Sequence, residues 1–127
     1  MKVFTNGCFD ILHIGHIDYL RASKRAGDYL VVGLNSDASI KRLKGGTRPI
    51  NSQLDRRAML LELRCVDEVI IFDEDTPLEL IKQVNPDIVT KGGDYKPEDV
   101  VSNGKPVIIL PLIAGYSTTR LCDLMGL

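Results

Sequence analysis

Lys2-Val3-Phe4-Thr5-Asn6-Gly7-Cys8-Phe9-Asp10-Ile11-Leu12-His13-Ile14-Gly15-His16 opens on a short apolar strand over residues 2–5 and runs into a helix from residue 15. Backbone N–H groups at a helix N-terminus lack intrahelical acceptors and carry partial positive charge. A strand that feeds such a terminus through small polar residues and a glycine therefore makes a cradle for phosphate. His13 and His16 stand three apart, a spacing that puts side chains on one helical face, so both imidazoles can point into one small volume. Gly15 between them has no Cβ and lets a ligand approach the backbone. These are the only two histidines of the chain. The residues predict a polyphosphate held beside two imidazoles.

Outward from this run, short β-branched segments alternate with longer amphipathic ones. Strands are expected over residues 2–5, 29–35, 68–72, 87–91 and 107–110, mostly continuous apolar runs of the kind covered on both faces. Helices are expected over 15–25, 37–43, 52–63 and 77–84, with a last one from residue 117 onward. Gly27 closes the first helix after a basic last turn, Thr76-Pro77 reads as an N-cap followed by proline at the first helical position, and Asn85-Pro86 stops the fourth helix. This βαβα alternation argues an α/β fold, a Rossmann-like, doubly wound parallel sheet, expected with five strands in the order 3-2-1-4-5 and as one domain over residues 1–127. In that order the ligand crevice lies between strands 1 and 4, beyond their C-terminal ends. The two glycine-containing segments 5–10 and 91–95 (Lys91-Gly92-Gly93-Asp94-Tyr95) then face each other. No Gly-x-Gly-x-x-Gly follows the first strand, which removes a dinucleotide reading.

Composition narrows the function further. The 127 residues are 44% hydrophobic and 26% charged with net charge −1, so no basic field points to nucleic acid or an anionic membrane. Four Tyr, three Phe and no Trp leave little for a base-stacking platform. No apolar run approaches the roughly 20 residues needed to span a bilayer. Cys8, Cys65 and Cys122 are odd in number and far apart, and the start lacks a signal-peptide apolar region; both features suit a reducing cytoplasm. Cys65 and Cys122 read as small buried hydrophobes. Cys8 with His13 and His16 fits no established zinc spacing, and no protein-held metal site is expected.

Two further clusters carry chemistry. Lys41, Arg42, Lys44, Arg48, Arg56 and Arg57 offer cations within one stretch. Among them Lys44 stands out, because Lys44-Gly45-Gly46-Thr47-Arg48-Pro49 surrounds a cation with glycines on a loop that could close over phosphates. Gly115-Tyr116-Ser117-Thr118-Thr119-Arg120 places three consecutive hydroxyls at a helix start, more than capping explains and suited to a second phosphate-facing terminus, with Arg120 in reach of phosphate or base.

Gly7-Cys8-Phe9-Asp10 followed by His13-Ile14-Gly15-His16 resembles the signature of the cytidylyltransferase-like nucleotidyltransferases. The resemblance runs over essentially the whole chain, with a mobile lysine at Lys44, an arginine in the next helix at Arg56, and a Ser-Thr-Thr motif at Ser117-Thr118-Thr119. It implies transfer of a nucleoside monophosphate from a nucleoside triphosphate to a phosphorylated small molecule, with Mg²⁺ and a homodimeric state. The catalytic residues would be His13, His16 and Lys44. Asn6, Gly7, Cys8, Phe9, Asp10, Gly15, Arg56, Lys91, Gly92, Asp94, Ser117, Thr118, Thr119 and Arg120 would bind the nucleotide.

Within that superfamily, Gly33-Leu34-Asn35-Ser36-Asp37-Ala38-Ser39, Lys44-Gly45 with Arg48-Pro49, and Lys91-Gly92-Gly93-Asp94-Tyr95 resemble the heptose 1-phosphate adenylyltransferases, which use ATP in making the ADP-heptose of bacterial surface glycans. That branch often joins a sugar kinase in one bifunctional protein. This chain carries no kinase half and is expected as the stand-alone form. The other close branch is glycerol-3-phosphate cytidylyltransferase, a CTP enzyme whose members carry Arg-Thr-Glu-Gly where this chain has Leu112-Ile113-Ala114-Gly115. The resemblance therefore favours ATP and a sugar 1-phosphate. A protein that binds nucleotide without turning it over is the alternative from a different class.

Overall fold

The five apolar segments pair side by side because each is too short and too apolar to be covered except within a sheet. The computed structural model describes residues 1–93, 95–111 and 117–126. Its strands are β1 (Lys2–Gly7), β2 (Tyr29–Asn35), β3 (Glu68–Phe72), β4 (Ile88–Gly92) and β5 (Val107–Leu110). Its helices are α1 (Ile14–Arg25), α2 (Asp37–Lys44), α3 (Gln53–Leu61), α4 (Leu78–Val84) and α5 (Thr118–Met125). The sheet is parallel throughout, in the order β3-β2-β1-β4-β5, so the expected α/β doubly wound architecture holds.

Successive strand residues point to opposite faces, and this alternation builds two cores. Val3, Leu30, Val32 and Leu34 face Tyr19 and Leu20 of α1 and Leu60 of α3. Phe4, Val31 and Phe72 face Leu80 and Ile81 of α4 on the other side. Each fully buried side chain of this kind contributes about 1.5–3 kcal/mol. Gly33 lets β2 pass under the second core, since a Cβ there would stand 2.7 Å from Phe4 Cζ. Cys122 is buried as expected, whereas Cys65 is half-buried, packed on the rim of the first core. Among the described residues no helix is long and apolar enough to cross a membrane.

The structure refines one local reading and corrects another. Helix α1 ends on its basic last turn with Ala26 as a right-handed cap, and Gly27 follows directly. Gly27 is there because a Cβ would meet the Met1 carbonyl oxygen at 2.5 Å, where the start of β1 crosses the α1–β2 turn. Helix α4 is capped by Pro77 itself, with no side-chain bond, so Thr76 does not cap and proline is not the first helical residue. The first carbonyl of that helix, Pro77 O, already accepts from Ile81 N at 2.9 Å.

Candidate active site

Sequence order brings the C-terminal ends of β1 and β4 together where the sheet reverses its winding, and a cleft of about 390 Å³ opens there. Its floor is the β1–α1 connection from Asn6 to Asp10 and the start of α1. His13 is the N-cap of α1, extended at φ −138°, and only His16 stands within the helix, so the pair does not share the helical face that the spacing predicted. The pair still meets, by a different device. His13 Nδ1 accepts from Gly15 N at 3.1 Å, and His16 Nδ1 accepts from His13 N at 3.3 Å. This is a capping box made of two histidines. The rings stack with centroids 3.8 Å apart, and the Phe9 ring meets His16 edge-on at 5.3 Å.

The box fixes chemistry as well as structure. A neutral imidazole whose Nδ1 accepts carries its proton on Nε2, so both rings are set as Nε2–H donors. Burial, then the charges of His13 and Lys44, lowers the His16 pKa from 6.5 to about 4, and burial lowers that of His13. Phe9, which braces His16, holds a left-handed backbone at φ 46°, the kind of local strain that a surrounding structure must enforce.

Beneath the floor, charges lock the loops together. Asp10 is 2% exposed and its carboxylate accepts from Ile50 N, Asn51 N and Arg48 Nε, the last at 2.9 Å. Those three donors hold its pKa below the ordinary range against the opposing effect of burial. Arg56, 1% exposed, donates to Cys8 O and Asn35 O at 2.8 Å, to Asn51 O at 2.9 Å and to Asp37 Oδ1 at 2.8 Å. It clamps the ends of β1 and β2 to the turn before α3. Deeper still, the Tyr19 hydroxyl bonds Thr5 Oγ1, which donates to Thr90 O at 3.1 Å and so ties β1 to β4.

The walls are cationic and hydroxylic. Lys44 is the last residue of α2 rather than a loop residue, and the left-handed Gly45 (φ 63°) and Gly46 (φ 59°) form the turn after it. Lys91 sits 5.3 Å above the Tyr95 ring with Gly92 beside it, and burial lowers its pKa. At α5, Ser117 is the N-cap and accepts from Arg120 N at 2.9 Å, while Thr118 Oγ1 donates to Ile11 O at 3.2 Å. Capping and this tie account for two of the three hydroxyls; Thr119 also lines the cleft.

Of the residues expected from sequence, Asn6, Gly7, Cys8, Phe9, Asp10, His13, Gly15, His16, Lys44, Lys91, Gly92, Ser117, Thr118 and Thr119 all border this one cleft. Arg56 and Arg120 do not. Arg56 is spent on four protein acceptors under the floor, and Arg120 is exposed on α5. Asp94 lies outside the described residues, as do residues 112–116. Arg48, expected only as one of six candidate cations, Tyr95, expected only within the 91–95 segment, and Tyr19, not expected at all, also border the cleft. For Arg48 the signal was its place after Gly45-Gly46; for Tyr19, one helical turn past His16, there was none beyond the helical period. Among the described residues no group of three or more His, Cys, Asp or Glu could hold a metal ion.

Residues 4–111 match the family model described as cytidylyltransferase-like. The chain is 58% identical over 125 residues to the bifunctional protein HldE of a Nitratiruptor species, covering 97% of this chain and 27% of that protein. It is 55% identical over 127 residues to the bifunctional protein HldE of Syntrophotalea carbinolica, covering 95% and 26%. The chain thus spans about a quarter of the length of the curated relatives it matches. Among solved structures it is similar to the lipopolysaccharide core biosynthesis protein from Thermoplasma volcanium, with TM-score 0.73 and 37% identity over 89% of this chain and 96% of that one. Pantothenate synthetase from Thermus thermophilus shares the fold at TM-score 0.60 and 17% identity, over 88% of this chain and 55% of that one.

Proposed function

The chain belongs to the cytidylyltransferase-like family, and on that premise we propose that it is a nucleotidyltransferase domain that moves AMP from ATP to a sugar 1-phosphate, a heptose 1-phosphate. The observation that carries this reading is the histidine capping box: two neutral imidazoles, stacked and preset as Nε2–H donors, in a cleft at the sheet's reversal point. A phosphate oxygen of the acceptor attacks the α-phosphorus, the bond from that phosphorus to its β-bridging oxygen breaks, and pyrophosphate leaves. Charge builds on the equatorial oxygens during the displacement, so preset donors and nearby cations stabilise it without reorganising. His13 and His16 donate to the α-phosphate. Lys44 neutralises the leaving polyphosphate. The α5 terminus at Ser117–Thr119 and the Lys91-Gly92 segment hold the rest of the nucleotide.

The acceptor rests on two supports: the resemblance to the heptose 1-phosphate branch, and the identity to bifunctional HldE proteins and to a lipopolysaccharide core biosynthesis protein. Asp10, the one carboxylate on the cleft floor among the described residues, is already held by Arg48 and two amides. Mg²⁺ therefore enters with the nucleotide as its phosphate-bound salt and is not assigned a resident site. The protein is proposed to be cytoplasmic and homodimeric; the exposed Leu54 and Leu61, seven apart on one face of α3, supply an apolar surface for self-association.

The test is pyrophosphate release with Mg²⁺, crossing ATP and CTP against heptose 1-phosphate and glycerol 3-phosphate. Turnover confined to ATP with the heptose phosphate is the expected result. Turnover with CTP and glycerol 3-phosphate would keep the mechanism and replace both substrates. Nucleotide binding with no pyrophosphate in any combination would overturn the catalytic reading.

A further inference from the structure

We infer that Arg48 is an anion-binding residue of the cleft, its free guanidinium edge donating to a phosphate oxygen of a bound substrate. For the identity of that anion the inference rests on the nucleotidyl-transfer reading; the geometry stands apart from it. The Arg48 side chain is 13% exposed, and its Nε donates to Asp10 Oδ2 at 2.9 Å. Its Nη2 is buried with no hydrogen-bond acceptor among the described residues. Asp10 cannot supply one by turning, because Ile50 N and Asn51 N hold the same carboxylate at 2.8–3.0 Å. A guanidinium presents its donors in a rigid fork, so an edge fixed on a carboxylate aims the rest of the fork in a set direction. Here the residue borders the cleft together with His16, Lys44 and Thr119.

A buried N–H of a cation left without an acceptor is costly, and a phosphate oxygen is the acceptor that this fork fits best. The neighbours agree. Both histidines are neutral by their lowered pKa values, so fixed positive charge on this side of the cleft comes from Lys44 and Arg48. Asp10 is then a positioning residue, holding the guanidinium rather than touching substrate.

Lysine at position 48 keeps the ion pair with Asp10 but has no second edge, so R48K separates anchoring from ligand contact. Calorimetric titration of wild type and R48K with tripolyphosphate and with ATP, and KM for the acceptor phosphate, read the difference. R48K is expected to bind tripolyphosphate and ATP about tenfold to a hundredfold more weakly, with little change in thermal midpoint. Unchanged nucleotide affinity with a tenfold higher acceptor KM would assign the same contact to the acceptor's phosphate. Unchanged values throughout, or a wild type that binds none of these phosphates, would overturn the inference. A second readout needs no variant: the Arg48 Nε–H resonance of the wild-type protein should shift on adding tripolyphosphate or the acceptor phosphate, and no shift with either overturns it. Phosphate binding without pyrophosphate release would sink the transferase reading and leave the assignment of Arg48 intact.

Discussion

At the scale of single residues, His16 has one structural job and one proposed one: Nδ1 helps start α1, and Nε2–H is the proposed donor to the α-phosphate. H16A is expected to lower turnover about 10²–10³-fold with ATP affinity largely kept, read by steady-state kinetics beside titration; near-normal turnover would remove His16 from the mechanism. The same residue sets an acid limit. Its pKa is 6.5 unfolded and about 4 folded, so the stability it confers is complete above pH 6.5 and is lost as pH falls through 4. Chemical denaturation at pH 7, 5.5 and 4 should show that loss in wild type and a shallower one in H16Q, which has no proton to gain. Sequence spacing announced the pair but assigned it to a helix face. The actual cause, a histidine serving as N-cap, depends on the backbone angle at His13, which no residue pattern states.

At the scale of elements, strands and helices were legible because their apolar periods are local, and the parallel sheet followed from βαβα alternation. What a period cannot carry is a partner far along the chain. Arg56 looked like a nucleotide ligand in a helix, yet its partners Cys8 and Asn35 lie 48 and 21 residues away, and they draw it under the floor. R56A should therefore destabilise the fold by about 2–4 kcal/mol, since it strands buried carbonyls, while the folded fraction keeps its ATP affinity. Urea unfolding beside titration separates this from a ligand role, which would show the opposite balance. The pairing of Asp10 with Arg48, 38 residues away, was hidden for the same reason. Lys44 was placed on a loop by its glycines, but those glycines only begin the turn that its helix ends on.

For the whole molecule, a chain of net charge −1 gathers Lys44, Arg48, Lys91 and two helix starts around one cleft. Composition excluded a basic surface and could not reveal this local concentration, because it needs the crossover that sets β4 beside β1. Sedimentation velocity should give a species of twice the chain mass, and L54E with L61E on one face of α3 should convert it to monomer; a wild-type monomer would refute the homodimer. All five strands point their C-terminal ends at the cleft, and Met1 O, at the opposite end of β1, accepts from Asp28 N and Tyr29 N. A purification tag or surface linker attached ahead of Met1 therefore leaves from the far end of the sheet, at the loss of one exposed ion pair to Asp28. Immobilised by that end, the protein would present its cleft to the solution.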